Sequence, residues 1–100
     1  MNLSDLMQLV FSERGDAIHL HEKERPVVEV NRVLVKLEGP PLALGETEEM
    51  LRSLASEEEL EEFSTNQLAC FYYHFRNVAV FQVMAFREDG HVRLELRRFR

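Results

Sequence analysis

Apolar residues recur at helical spacing at the start of the chain. Leu3, Leu6, Met7, Val10 and Phe11 share one side of a helix, with Asn2 or Ser4 placed to cap it. Gly15 stands where a helix stop is expected. The period then changes: Ile18 and Leu20 point one way and His19 and His21 the other, which is strand alternation. Pro26 breaks the approach to a second run, in which Val28 and Val30 alternate with Val27 and Glu29. After Asn31-Arg32, Val33, Val35 and Leu37 alternate with Leu34 and Lys36, so the two runs form a hairpin, although Asn-Arg is a weaker turn signal than Asn-Gly. Gly39-Pro40-Pro41 ends this segment and opens a crossing loop.

Helical spacing returns from Gly45 through Thr47, Met50, Leu51 and Leu54. Ser56 with Glu59 reads as a capping box, predicting a new short helix that ends near Phe63. The last third is strand: Leu68 to Phe75, Val78 to Arg87 and Val92 to Phe99, separated by Arg76-Asn77 and by the strong hairpin pair Asp89-Gly90. In the middle run Ala79, Phe81, Val83 and Ala85 share one face, and Val78, Val80, Met84 and Phe86 the other. Both faces are mostly apolar, which predicts a central strand covered on both sides at least in part, by a helix or by a partner. The order is helix, three strands, two helices, three strands. It predicts an α+β fold, a largely antiparallel sheet of about five to six strands with helices packed on it.

Length and composition narrow this picture. One hundred residues make a single domain, 1–100, and 45% hydrophobic with 30% charged residues suits a folded chain with a solvated exterior. The one cysteine, Cys70, cannot form an internal disulfide. The first residues lack a basic start, and the longest mostly apolar stretch, Val78 to Phe86, contains Gln82 and is too short to span a bilayer. A cytoplasmic chain without direct membrane insertion is expected. The net charge of −6 argues against nucleic acid or an anionic membrane as partner, since both require clustered cations. The charge is unevenly placed. Glu46, Glu48, Glu49, Glu57, Glu58, Glu59, Glu61 and Glu62 crowd the middle, while Arg87, Arg93, Arg97, Arg98 and Arg100 crowd the end. Part of the acidic run is explained by capping and by the helix dipole, and the remainder as a solvated face.

No catalytic site emerges. A phosphate loop needs glycines before a lysine, and Gly15, Gly39, Gly45 and Gly90 form no such motif. His19 with His21, or Cys70 with His74, supply too few ligands for zinc, so no metal is expected. Ser4 and Ser56 are better explained as caps, Cys70 as a buried thiol that behaves as a small hydrophobe in an aromatic strand, and Tyr72, Tyr73 and Phe75 as packing residues. Carboxylates on short surface helices would be solvated, unlike a catalytic pair.

Four segments carry a resemblance: Gly15-Asp-Ala-Ile-His-Leu20, Pro26-Val-Val-Glu-Val-Asn31, Leu37-Glu-Gly-Pro-Pro-Leu42 and Phe81-Gln-Val-Met-Ala-Phe86. In order and spacing the chain resembles the amino-terminal domain of PilT-type type IV pilus retraction ATPases, members of the type II/IV secretion ATPase superfamily. The resemblance implies a PAS-like α+β domain that precedes a RecA-like ATPase core, in rings of six where the domain packs on a neighbour's core and the motor drives twitching motility. It implies no cofactor in this chain, with ATP held only by a separate core. The partners it implies are that core, other copies of the chain and pilus or secretion machinery proteins.

The family-motif positions are His19, Pro26, Gln82 and Met84, and here the chain departs from the pattern. His19 is kept, but Ala17 replaces an aspartate, and only Arg25-Pro26 remains of a double proline. The arginine that usually follows falls on Glu29, and the family's Asp-Gly hairpin on Asn31-Arg32. Gln82 and Met84 replace an arginine and an asparagine. Neutral Gln82 cannot make a charge-assisted bidentate contact to phosphate, so coupling to nucleotide is expected to be weakened or lost. The expected role is a non-catalytic interaction and assembly domain, with Arg87, Arg93, Arg97 and Arg98 on one side and Glu57, Glu58 and Glu61 on the other as contact residues. Exposed pairs contribute only about 0–1 kcal/mol each, so an apolar patch must carry the binding. The competing expectation is a stand-alone PAS-like small-ligand sensor, which requires a preformed apolar pocket.

Overall fold

A computed structural model describes residues 2–99; Arg100 of the basic end lies outside them. Helix α1 (Leu3–Ser12) is capped by Asn2, whose side chain accepts the Asp5 N–H at 2.8 Å while the Asp5 carboxylate accepts the Asn2 N–H at 3.2 Å. Strands β1 (Ala17–His21), β2 (Val27–Val30) and β3 (Val33–Lys36) follow as a meander. Helices α2 (Glu46–Leu54) and α3 (Glu57–Asn66) come next, then β4 (Leu68–Phe75), β5 (Ala79–Glu88) and β6 (His91–Arg98). The six strands form one antiparallel sheet in the order β3-β2-β1-β6-β5-β4, the α-βββ-αα-βββ arrangement that the periodicity predicts.

The turns hold two surprises. Asn31 and Arg32 both take left-handed backbone, φ 51° and 67°, between the paired residues Val30 and Val33. That is the two-residue geometry normally served by glycine, here adopted by an arginine. After α1 the left-handed position is Arg14 (φ 55°), not Gly15. Gly15 is needed for close approach instead: a Cβ there would stand 3.3 Å from Val10 Cγ1. Helix α3 also runs past Phe63 to Asn66, because left-handed Gln67 closes it by donating its N–H to the Phe63 carbonyl at 2.8 Å.

The core lies between the helices and one face of the sheet. Leu6, Met7 and Val10 of α1, Met50, Leu51 and Leu54 of α2 and Phe63 of α3 pack with Ile18, Leu20, Val28, Phe71, Phe75, Phe81, Val83, Leu94 and Leu96. The register sets these strand residues side by side, Ile18 beside Leu96 and Leu96 beside Val83, so they share one face. The expectation of a central β5 covered on both sides needs correction. β5 is second from the edge, and the buried residues of all three helices join the cluster on the face of Phe81 and Val83. Val80, Met84 and Phe86 on the opposite face remain half-buried, screened only by neighbouring side chains.

Candidate interaction surface

Alternation places His19 and His21 of β1, Val27 and Glu29 of β2, Arg93, Glu95 and Arg97 of β6, Gln82, Met84 and Phe86 of β5, and Cys70 and Tyr72 of β4 on the face that the helices leave open. Its centre is ionic. His19 lies 3.2 Å from Glu29 through Nε2 and 3.4 Å from Glu95 through Nδ1. Arg97 donates to Glu29 from Nη2 at 3.2 Å and to Glu95 from Nε at 3.4 Å. The Arg97 and His19 hydrogen bonds hold the Glu29 carboxyl below the ordinary glutamate range against the opposing effect of burial. Glu29 in turn raises Arg97 above its already high value.

Beside this centre the surface turns apolar. Arg93 lies over the Phe86 ring at 5.9 Å and pairs with Glu88 at 3.3 Å. Tyr72 meets Phe99 edge to face, centroids 5.0 Å apart. Leu68, Tyr72, Val78 and Phe99 are each about half exposed. Gln82 stands between Arg97 and Tyr72 in register and donates to Cys70 Sγ at 3.6 Å, a contact within its own sheet. Met84 lies between Cys70 and Glu95.

The charged residues expected to form contact regions are dispersed. Arg93 and Arg97 lie on the open face, whereas Arg87 and Arg98 lie on the helix side. Arg87 stacks on Phe63 at 5.3 Å and donates to Glu48 at 3.2 Å, and Arg98 stacks on Phe11 at 5.5 Å. Glu57, Glu58 and Glu61 are exposed on α3, apart from these arginines. Pro26 is buried at the start of β2, where its carbonyl accepts the Leu37 N–H at 2.9 Å. A groove of about 300 Å³ opens between α2, α3 and β5, lined by Glu48, Leu51, Arg52, Leu60, Phe63 and Arg87; its walls are part charged and it is open to solvent.

One buried polar site has no counterpart in the sequence reading. Glu22, 6% exposed, accepts the Gly45 N–H at 2.8 Å and the Thr47 hydroxyl at 3.4 Å through Oε2, and meets His91 Nδ1 at 2.8 Å through Oε1. The Gly45 N–H above all, then His91 and Thr47, lower its carboxyl below the ordinary glutamate value although burial opposes this. The clasp ties the β1–β2 turn to the start of α2 and of β6. A single glutamate between two strands gives no periodic signal by which to find it. Among the described residues no group of His, Cys, Asp or Glu is placed to hold a metal ion, and no helix is long and apolar enough to cross a membrane.

No family model matches the chain, and no curated protein matches it. Solved structures do. The pilus retraction motor PilT with bound ADP superposes with a TM-score of 0.87 at 22% identity, over 97% of this chain and 29% of that one. The Legionella pneumophila ATPase DotB gives 0.75 at 19% identity, covering 93% of this chain and 27% of DotB. The Yersinia pseudotuberculosis ATPase DotB gives 0.70 at 15%, covering 95% and 29%. The chain therefore has the fold of one domain of the PilT motor and of the DotB ATPases, consistent with the amino-terminal domain its ordered motifs resemble, and spans 27–29% of the length of those proteins.

Proposed function

We propose that this chain is a non-catalytic, cytoplasmic assembly domain that docks its open sheet face on a RecA-like motor core of the pilus retraction type. The observation that carries this reading is the likeness to PilT over 97% of the chain, combined with a sheet face that its own helices leave bare. The polar positions through which such a domain would sense a neighbour's phosphate are Gln82 and Met84, both without charge, so docking is retained and nucleotide coupling is weakened. The small-ligand alternative would use the groove beside Phe63 and Arg87. Its open, part-charged walls suit capture of a small apolar molecule less well than the enclosed apolar cavity such sites require.

Calorimetric titration of the chain into a motor core stripped of its own amino-terminal domain tests the reading. Binding weakened by Arg97→Glu supports it. No heat with core at ~100 µM, a concentration that detects weak transient docking, contradicts it. Chain titrated with ATP and Mg²⁺ alone should give no hydrolysis; measurable turnover would overturn the non-catalytic assignment.

A further inference from the structure

The two edges of the sheet differ in kind. β3 is 4 residues long, follows Arg32 and ends in Lys36. β4 is 8 residues, Leu-Ala-Cys-Phe-Tyr-Tyr-His-Phe, without an acidic residue, Lys, Arg, Pro or Gly. Natural sheets protect long edges with charge, proline, bulges or short strands, and β4 has none of these. It pairs with β5 on one side only. The Gln67 carbonyl accepts the Arg87 N–H at 3.1 Å, which makes Ala69, Phe71, Tyr73 and Phe75 the residues bonded to β5. By alternation the N–H and C=O of Leu68, Cys70, Tyr72 and His74 point outward. Among the described residues, no loop, turn or cap backbone hydrogen bond involves them, and their side chains are exposed too.

We infer that β4 pairs antiparallel with β4 of a second copy about a two-fold axis at Phe71, joining two six-stranded sheets into one. In that register Leu68 faces His74 of the second copy and Cys70 faces Tyr72 of the second copy. Every outward N–H and C=O then meets its complement. No carboxylate or guanidinium is brought against its like. Among the described residues there is no other matching strand. β1, β2, β5 and β6 are paired on both sides, and β3 paired with itself sets Arg32 and Lys36 together. β3 on β4 would match 4 residues to 8 and propagate head to tail. The inference stands on the edge itself and does not need the motor-core reading.

The single cysteine makes a direct test possible. The two Cys70 residues become diagonal neighbours roughly 7–8 Å apart. That is beyond unstrained disulfide geometry but within reach of a short bis-maleimide. Sedimentation equilibrium should show a monomer–dimer equilibrium, with bis-maleimide linking the dimer through Cys70. Amide exchange at residues 68, 70, 72 and 74 should slow as concentration rises, while residues 33–36 stay unchanged. Cys70→Pro removes an outward N–H and spares the β5 ladder, and Tyr72→Lys sets two lysines diagonally across the axis. Each should raise the dimer dissociation constant about tenfold or more through lost ladder bonds or like-charge contact. Tyr72→Lys, at an exposed position, keeps the test valid if the proline variant fails to fold. A chain that stays monomeric at millimolar concentration, a dimer in which those amides still exchange fast, a dimer that survives both variants, or a polymer instead of a dimer would each overturn the inference. Core binding without dimerisation refutes this inference alone; dimerisation without core binding refutes only the docking assignment.

Discussion

Replacing Phe81 by alanine, beside Phe86 by alanine on the same strand, separates the two faces of the sheet in one experiment. Phe81 is fully buried and meets Phe75 edge to face, centroids 6.3 Å apart at 72°. Withdrawing such a ring from water contributes about 1.5–3 kcal/mol. The cavity left among Leu96, Val83 and the helices brings the loss to about 3–5 kcal/mol. A domain of this size has a total stability of about 5–15 kcal/mol, so the variant should be folded but fragile. Phe86 is half-buried and has the Arg93 guanidinium over its ring. Its truncation loses part of a hydrophobic contact and a cation–π contribution of about 0.5–1 kcal/mol, for a total near 1–1.5 kcal/mol. Urea unfolding followed by far-ultraviolet circular dichroism gives both values from midpoint shifts at constant slope. Equal losses for the two variants, or a loss below about 1 kcal/mol for Phe81→Ala, would refute the one-sided core.

Two further perturbations probe local features. Glu22 and Glu29 both hold lowered pKa values, so each binds its proton less readily folded than unfolded. Their stabilisation is complete above the ordinary glutamate value of 4.5 and is lost as pH falls through the lower folded values. Unfolding midpoints between pH 7 and 3 should therefore fall more steeply for the native chain than for Glu22→Gln, and identical profiles would remove Glu22 from the account. Arg32→Gly should stabilise the β2–β3 hairpin by up to about 1 kcal/mol, because the arginine occupies left-handed backbone that glycine enters without a Cβ clash. A loss of stability on that exchange would contradict the turn geometry.

The element order was legible because each segment has a clean period. Leu6, Met7 and Val10 in α1, and Phe81, Val83 and Ala85 in β5, are buried where the pattern places them. The Ser56–Glu59 box begins α3 as its spacing implies. What escaped the pattern depends on residues far apart in the chain. Apolar Val80, Met84 and Phe86 imply a second cover, but composition cannot distinguish a helix from half-burial among neighbouring strand side chains. The clustering of Arg87, Arg93, Arg97 and Arg98 in sequence implied one basic surface, yet a strand sends successive residues to opposite faces and each found a local partner or ring. Glu22 depends on Gly45, Thr47 and His91, which only the folded chain brings together.

The ladder between β1 and β6 has a consequence for how the molecule assembles. Each half of the sheet is a set of neighbouring hairpins that can zip from its own turn. The strand ladders of the two halves join along Ala17–His21 and Arg93–Arg97, where Ile18 lies against Leu96 and Leu20 against Leu94, pairs drawn from opposite ends of the chain. Closing that seam must bear the largest loop entropy in the fold, so the folding barrier belongs there. Two fragments cut in the crossing loop between β3 and α2 should then find each other and restore the sheet when mixed.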